Sequence, residues 1–474
     1  MRIGFIGTGL IATYHSKSLK RSGANVVRAG AYDLDAARLH AFCAASGHHA
    51  CTSEEEVLDG CDAVYICTWT SEHPRLVSAA AERGRAIFCE KPLATSLAGA
   101  REMADTVSTA SVTNQVGLVL RRSPAFLWLR HVVTAPEAGA LMSVVFRDDQ
   151  FIPIQGHYSS TWRGDVTKAG SGTLLEHSVH DIDMLEFLAG PIGSVAAQSA
   201  SFHAIDGIED VMAATIGFSS GAVGTLTSIW HDVLSRPSLR RVEVFCENRW
   251  AMLEGDDWYG PVAWTDSDGA KGALTGDELV EASMPLLDGP ANPDGAFVLA
   301  AERHEPATPD FAVAVRAHEV ADAIYRSAAA AGSAVLLQHR AAVASSAMSI
   351  AVSLDRLREE TQRFGATPYL LTVSDDARAH ATAVTVEWQG DELVMGVGSR
   401  SARNAAARPE VSLLWPPFEP GGYSLISDGV VRDLGDERVA FAPTRAVLHR
   451  PAVEPVAKDG SACTSDCVPL TTQA

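Results

Sequence analysis

"IGFIGTGLIA", residues 3–12, decides how this chain is read. A short apolar run ends in Gly7-x-Gly9-x-x-Ala12, and a helical pattern follows to about Ser22. Between a strand and a helix, the first glycine makes the tight turn and the second lets backbone approach a pyrophosphate. The small third residue lets helix and strand pack closely. Leu10 and Ile11 then stand at the helix start, where backbone amides hold phosphates. A second strand, "NVVRAGAYD", ends at Asp33, about 20 residues past the motif, where a carboxylate accepts ribose hydroxyls and repels a 2′-phosphate. NAD is therefore expected over NADP, although Arg28 and Arg38 leave NADP open. A glycine turn of purely structural use is the alternative.

Working outward, "DAVYICT", "EHPRLVSAAAERG" and "AIFCE" continue a strand–helix alternation to about residue 120. This predicts a parallel sheet with helices on its faces, an α/β Rossmann domain over 1–120. From 121 to 360 long strand-like runs dominate, such as "LMSVVFRDDQFI" and "RRVEVFCENRWAMLEG", with Ala-rich helices over 310–360. An α+β domain with an open, mostly antiparallel sheet is expected there. "EETQRFGATP" reads as a linker. Short strands with turn signals over 366–452 predict a small β-barrel, and 453–474 a flexible tail.

Across all 474 residues, 58 acidic against 38 basic side chains leave a net charge of −20. So acidic a surface argues against nucleic acid and anionic membrane as partners. The apolar N-terminal run is interrupted by glycines and lacks a cleavage-site pattern, and no stretch reaches the roughly 18 uncharged apolar residues of a membrane span. Eight scattered cysteines suggest reduced thiols and a cytoplasmic protein. The pair Cys463 and Cys467 alone makes a weak metal or disulfide candidate.

Two further stretches carry chemistry. "IFCEKPLATS" follows a strand of the first sheet, so Glu90 and Lys91 are delivered to the edge where ligands bind, and Lys91–Pro92 can be cis. "GTLLEHSVHDIDMLEFLAG", residues 172–190, read as one helix, places Glu176, His180 and Asp183 on one face. Either these three, or His177 with His180, bind zinc or manganese, or His180 moves a proton. His177 and Asp181 form their own i, i+4 pair, readable as a solvated ion pair.

Taken together, the glycine turn, "EKP" and "GSGTLLEHSVHDID" closely resemble the Gfo/Idh/MocA oxidoreductases over about residues 1–360. The resemblance implies NAD(P)-dependent hydride transfer on sugars, inositols or related polyols, and a homo-oligomer formed through the open sheet. It assigns Lys91 as the active-site lysine and His180 as general base in oxidation and acid in reduction. Glu176 replaces the usual aspartate and is expected to orient the imidazole. Thr68, His73 and Glu90 are expected to line the cofactor cleft, and Trp162, Arg163 and Asp183 the substrate pocket. Ser178 departs from the usual glycine. An NAD-dependent lyase or glycosidase using transient oxidation, or a non-catalytic NAD sensor, are the other readings. Residues 366–452 resemble the pyridoxamine-phosphate-oxidase-like split barrels. That likeness implies FMN, with Ser399, Arg400 and Ser401 at its phosphate; a barrel that has lost its flavin is the alternative.

Overall fold

The computed structural model describes residues 1–287, 289–337, 349–352, 354–374, 378–416 and 424–449. They form two compact units, Met1–Ala342 and Val343–Ala474.

The first unit opens with six parallel strands: β1 (Arg2–Ile6), β2 (Val27–Tyr32), β3 (His49–Ala50), β4 (Ala63–Ile66), β5 (Ala86–Cys89) and β6 (Asn114–Val116). Helices α1 (Leu10–Arg21), α2 (Ala36–Ser46), α3 (Glu54–Gly60), α4 (His73–Glu82) and α5 (Leu97–Thr109) connect them. All four residues of β4 are buried, as expected of a strand covered on both faces. The spatial order β3-β2-β1-β4-β5-β6 reverses between β1 and β4. That reversal opens a crevice at the carboxyl ends of the strands, beside the glycine turn.

The rest of the unit contains α6 (Pro124–Thr134), β7 (Leu141–Phe151), α7 (Val166–Ala169), α8 (Thr173–Glu176), α9 (Val179–Ala189), β8 (Ile192–Ala200) and β9 (Val211–Phe218). There follow β10 (Val223–His231), β11 (Leu239–Cys246), β12 (Arg249–Asp256), β13 (Gly260–Asp266), β14 (Lys271–Leu274), α10 (Gly276–Ser283), α11 (Pro293–Arg303), α12 (Phe311–Ala329) and β15 (Val335–Leu336). Its sheet runs β14-β13-β12-β11-β7-β10-β9-β8-β15. Only β7 and β10 pair in parallel, so the expectation of a mostly antiparallel sheet holds. Strand β9 alternates buried and more exposed residues, giving the sheet one core face. The chain then returns to its start. Phe297 of α11 packs edge-on against Tyr65 and Phe88 of the first sheet. The Rossmann layer is thus completed by residues far beyond 120.

The second unit contains β16 (Ser349–Val352), α13 (Leu354–Phe364), β17 (Tyr369–Val373), β18 (Ala379–Ala383), β19 (Val386–Gln389), β20 (Glu392–Gly396), α14 (Ser399–Ala407), β21 (Glu410–Trp415), β22 (Ser424–Gly435) and β23 (Arg438–His449). Its antiparallel sheet runs β18-β17-β21-β22-β23-β20-β19, with β16 also on β23. The two end strands, β18 and β19, are consecutive in the chain, so the sheet curls around a core of Leu370, Leu393, Leu413, Trp415 and Phe441. The boundary differs from the expected 360–366. Residues read as a linker are helical to Phe364, because that helix buries Leu357 in this core. The expected tail, with Cys463 and Cys467, lies outside the described residues. No described helix is long and apolar enough to cross a membrane.

Candidate active site

The glycine turn has the conformation its spacing demands. Gly7 adopts φ +84°, and a Cβ there would stand 2.5 Å from the Cys67 carbonyl oxygen. A Cβ at Gly9 would meet nothing within 4 Å, so the start of α1 is open to a close ligand. Leu10 and Ile11 are exposed there, while Ala12 is buried against the sheet. Asp33 braces the turn: its Oδ2 accepts from the Thr8 amide at 2.8 Å and hydroxyl at 3.0 Å. Its Oδ1 accepts from the Asp35 amide at 2.8 Å and lies 3.4 Å from Arg38. Thr68, half-buried just after β4, donates to the Trp69 carbonyl at 3.3 Å.

The Glu90-Lys91-Pro92 loop, whose Lys91–Pro92 bond is cis, is gripped by three histidines. On α1, His15 Nε2 lies 2.7 Å from Glu90 Oε1, and its Nδ1 2.7 Å from Asp294 of α11. Burial opposes charge on His15, but Asp294 and Glu90 outweigh it and raise its pKa to about 10. It is an imidazolium between two carboxylates. His73 Nδ1 donates to the carbonyls of Pro92 at 3.1 Å and Leu93 at 3.2 Å. His318 of α12, pushed down to about 4 by burial, accepts from the Leu93 amide at 3.2 Å. His73, expected at the cofactor cleft, is 1% exposed and holds the loop by its backbone.

The lysine of this loop also reaches the second sheet's domain. Lys91 Nζ donates to the Glu176 carbonyl oxygen at 2.6 Å, at the end of α8. The single turn of α8 is anchored by Glu209, whose carboxylate accepts from the amides of Gly172 at 2.8 Å and Leu174 at 2.9 Å. Gly172 is required there, since a Cβ would lie 1.8 Å from the Glu209 carbonyl. The expected continuous helix is broken at His177 and Ser178 and resumes as α9. Thr173 and Ser178 both bond Ser228 of β10, at 2.8 and 2.6 Å, which fixes the break.

That break rearranges the expected triad. Glu176 does not meet His180. Its carboxylate accepts from Thr70 at 2.9 Å and Arg163 at 2.8 Å, and Arg163 lies over the Trp162 ring, 4.5 Å from its centroid. Asp183, expected in the substrate pocket, is held by Arg121 through contacts of 2.7 to 3.0 Å that engage both carboxylate oxygens. Glu176, His180 and Asp183 therefore form no metal cluster among the described residues. His177 and Asp181 are not a solvated pair either. Both adjoin Arg240 of β11, which lies 2.7 Å from Asp181 and 2.8 Å from Asp148, and also contacts Asp257. Burial and the Asp148 charge raise Asp181 to about 6, and burial with Arg240 lowers His177 to about 3.

His180 is the exception in this network. Its Nδ1 is buried with no hydrogen-bond partner among the described residues. Burial first, then the charges of Lys91 and Arg240, push its pKa well below 6.5, so the ring is neutral at pH 7. Burial also lowers the pKa of Lys91. A cation and a neutral imidazole from two domains thus act on one another in one site. His15, Thr70, Arg121, Arg240 and His318 escaped sequence reading. His15 alone carried a signal, a histidine on the buried face of α1, but its partner Asp294 is 279 residues away. In the second unit, Ser399 and Arg400 are exposed at the start of α14. Ser401 is buried, 3.2 Å from Thr382, so it is turned away from the face those two present.

Residues 1–118 match the family model described as "Oxidoreductase family, NAD-binding Rossmann fold", and 126–252 match the GFO/IDH/MocA C-terminal domain. The chain is 29% identical over 253 residues to the uncharacterized oxidoreductase YrbE of Bacillus subtilis, covering 51% of this chain and 70% of that protein. It is 31% identical over 191 residues to an inositol 2-dehydrogenase of Cereibacter sphaeroides, covering 40% and 54%. The chain thus spans about half the length of that relative. A separate likeness, 40% over 116 residues, is to the uncharacterized protein Mb0449c of Mycobacterium bovis, covering 21% of this chain and 82% of that protein. The fold resembles levoglucosan dehydrogenase in complex with NADH and levoglucosan, with a TM-score of 0.64 at 22% identity, over 71% of this chain and 99% of that one. With both of its domains matched across residues 1–252, this chain belongs to the GFO/IDH/MocA family of oxidoreductases.

Proposed function

We propose that the first unit is an NAD-dependent dehydrogenase acting on a secondary alcohol of an inositol, sugar or related polyol. The observation that carries this reading is Lys91, anchored at 2.6 Å to the Glu176 carbonyl four residues before His180, whose buried Nδ1 has no hydrogen-bond partner among the described residues and whose imidazole feels the lysine charge. The names of the inositol and levoglucosan dehydrogenases support the substrate class. Gly7, Gly9, Leu10, Ile11, Ala12 and Asp33 would hold the dinucleotide, because the open approach at Gly9 suits a pyrophosphate and the Asp33 carboxylate disfavours a 2′-phosphate. When bound, the nicotinamide supplies a two-electron acceptor for hydride from the carbinol carbon.

The chain's own residues manage the proton. A neutral His180 takes the hydroxyl proton in oxidation and returns it in reduction. The Lys91 ammonium stabilises negative charge developing on the same oxygen. Glu176 is a positioning residue: it keeps Arg163 and Trp162 in place, and its carbonyl directs Lys91. The test is NADH formation across a panel of inositols and sugars. Turnover matching substrate consumed supports the proposal. Cofactor binding without turnover, or product formation without net NADH, overturns it.

We further propose an FMN-type ligand for the second unit, with Ser399 and Arg400 facing its phosphate and Ser401 structural. The exposure of the first two at the start of α14 supports this, and the visible absorbance of the purified chain tests it. Oligomerisation through the open sheet accords with exposed Val145, Val223 and Phe245 on neighbouring strands, and light scattering tests it. The six described cysteines are free, in keeping with a cytoplasmic protein.

A further inference from the structure

The edge of the first sheet carries a cluster that the proposed reaction does not use. His49 lies on β3, Cys51 just after it, and Glu56 on the first turn of α3. An imidazole nitrogen, the thiol sulfur and a carboxylate oxygen lie within 4.8 Å of one another. Strand β2 makes room for them. Gly30 pairs with His49, and a Cβ there would lie 2.2 Å from Cys51 Sγ and 3.3 Å from His49 Nε2. Any side chain at Gly30 would push the thiol and imidazole away. The carboxylate is also held in place. Glu56 Oε2 accepts from the Thr52 amide at 2.7 Å and hydroxyl at 2.9 Å, and the Glu56 amide donates to Ser53 Oγ at 3.3 Å. This capping arrangement accounts for one carboxylate oxygen and leaves Oε1 with no hydrogen bond among the described residues.

We propose that His49, Cys51 and Glu56 bind a divalent transition metal, with zinc the best-suited ion and water in the fourth position. The mixed nitrogen, sulfur and oxygen set matches zinc's borderline preference, whereas magnesium and calcium take oxygen ligands. Tetrahedral zinc needs ligand atoms roughly 3.3–3.6 Å apart, from its usual bond lengths. The exposed His49 can close most of that gap by rotation, and Glu56 by turning Oε1 about the Oε2 that Thr52 holds, while Cys51 is buried. As the metal–sulfur bond forms, the thiol proton passes to solvent. The site's position gives the ion a structural task. Strand β3 is a two-residue edge strand, paired to β2 only through Gly30 with His49 and Ala31 with Ala50. A metal there would staple it to α3 beside Tyr32 and Asp33, at the ribose end of the crevice and on different elements from Lys91 and His180.

The full chain, stripped with chelator and titrated with cobalt, tests this. The expected result is a near-ultraviolet thiolate-to-cobalt charge-transfer band that one equivalent of zinc removes, with zinc also raising the melting temperature. Cys51→Ser should abolish the band. His49→Ala should weaken binding roughly 100-fold and Glu56→Gln about 10-fold. These two exposed positions keep the test decisive if the Cys51 variant folds poorly. The double variant Cys463→Ser, Cys467→Ser should keep the band. Its loss there would place the metal on the C-terminal cysteines and overturn the proposal. No band in the wild type, or binding unchanged in His49→Ala, would overturn it as well.

Discussion

The two sides of the candidate site are held by different forces. Glu90, Lys91 and the residues after them are gripped by His15, His73 and His318, three histidines from α1, α4 and α12. Across the crevice, the broken helix is held by ion pairs: Glu176 with Arg163, Asp183 with Arg121, Asp181 with Arg240. One side fixes backbone and leaves the lysine's tip to reach across. The other spends its carboxylates on arginines and leaves His180 without a dedicated partner. The imidazole is therefore tuned by burial and neighbouring charge, not by a carboxylate one turn away. Removing a reactive tip should abolish chemistry, whereas removing a grip should change stability first.

The largest effects should come from the tips. His180→Ala and Lys91→Ala should each lower kcat roughly 1,000-fold while nucleotide affinity stays within a few-fold, read by NADH formation and fluorescence titration. Activity near wild type in both would remove the two tips from the reaction. Next is Glu176→Ala, which leaves Arg163 without its buried partner. It should cost about 3 kcal/mol in urea unfolding, at the low end for a buried pair because Arg163 is partly exposed. Because Glu176 does not touch His180, the acid limb of the kcat/KM–pH profile should stay below pH 6.5 in Glu176→Gln. An upward or downward move of that limb would show that the carboxylate does act on the imidazole.

The third expectation concerns His15. Its pKa is about 10 in the folded chain against 6.5 in the unfolded one, so between these values the folded state binds the extra proton. Stability from this group is complete below pH 6.5 and is lost as pH rises toward 10. The slope reaches at most about 1.4 kcal/mol per pH unit for one proton. His15→Gln should be less stable near neutrality and show a flatter decline with pH; an unchanged slope would remove the imidazolium from the account. The smallest effect on catalysis should be that of Asp183→Asn, expected to change kcat/KM by less than about threefold while lowering stability by about 1–2 kcal/mol. A large loss of substrate affinity there would restore Asp183 to the pocket.

Much of this was readable in advance for a physical reason. The turn at Gly7 and Gly9, the alternation of strands and helices, and the placement of Lys91 at a strand's end depend on local backbone geometry and short periods. The errors share a cause too. Glu176 and His180 were placed on one face by assuming an unbroken helix, but Ser228, 50 residues beyond Ser178, stabilises the interruption. The linker expected over 359–368 is helical as far as Phe364, because a polar helix needs only a few apolar residues, such as Leu357, to dock on a sheet.

The kind of fold and the dinucleotide-type turn follow from local sequence, as does the position of Lys91 just after a strand of the first sheet. Which carboxylate meets which base is settled by long-range packing. Asp183 finds Arg121 across 62 positions, Leu93 finds His318 across 225, and His15 finds Asp294 across 279. Local conformation is set by neighbours along the chain, whereas charge pairing and burial are set by neighbours in space, and those exist only once the distant segments have packed.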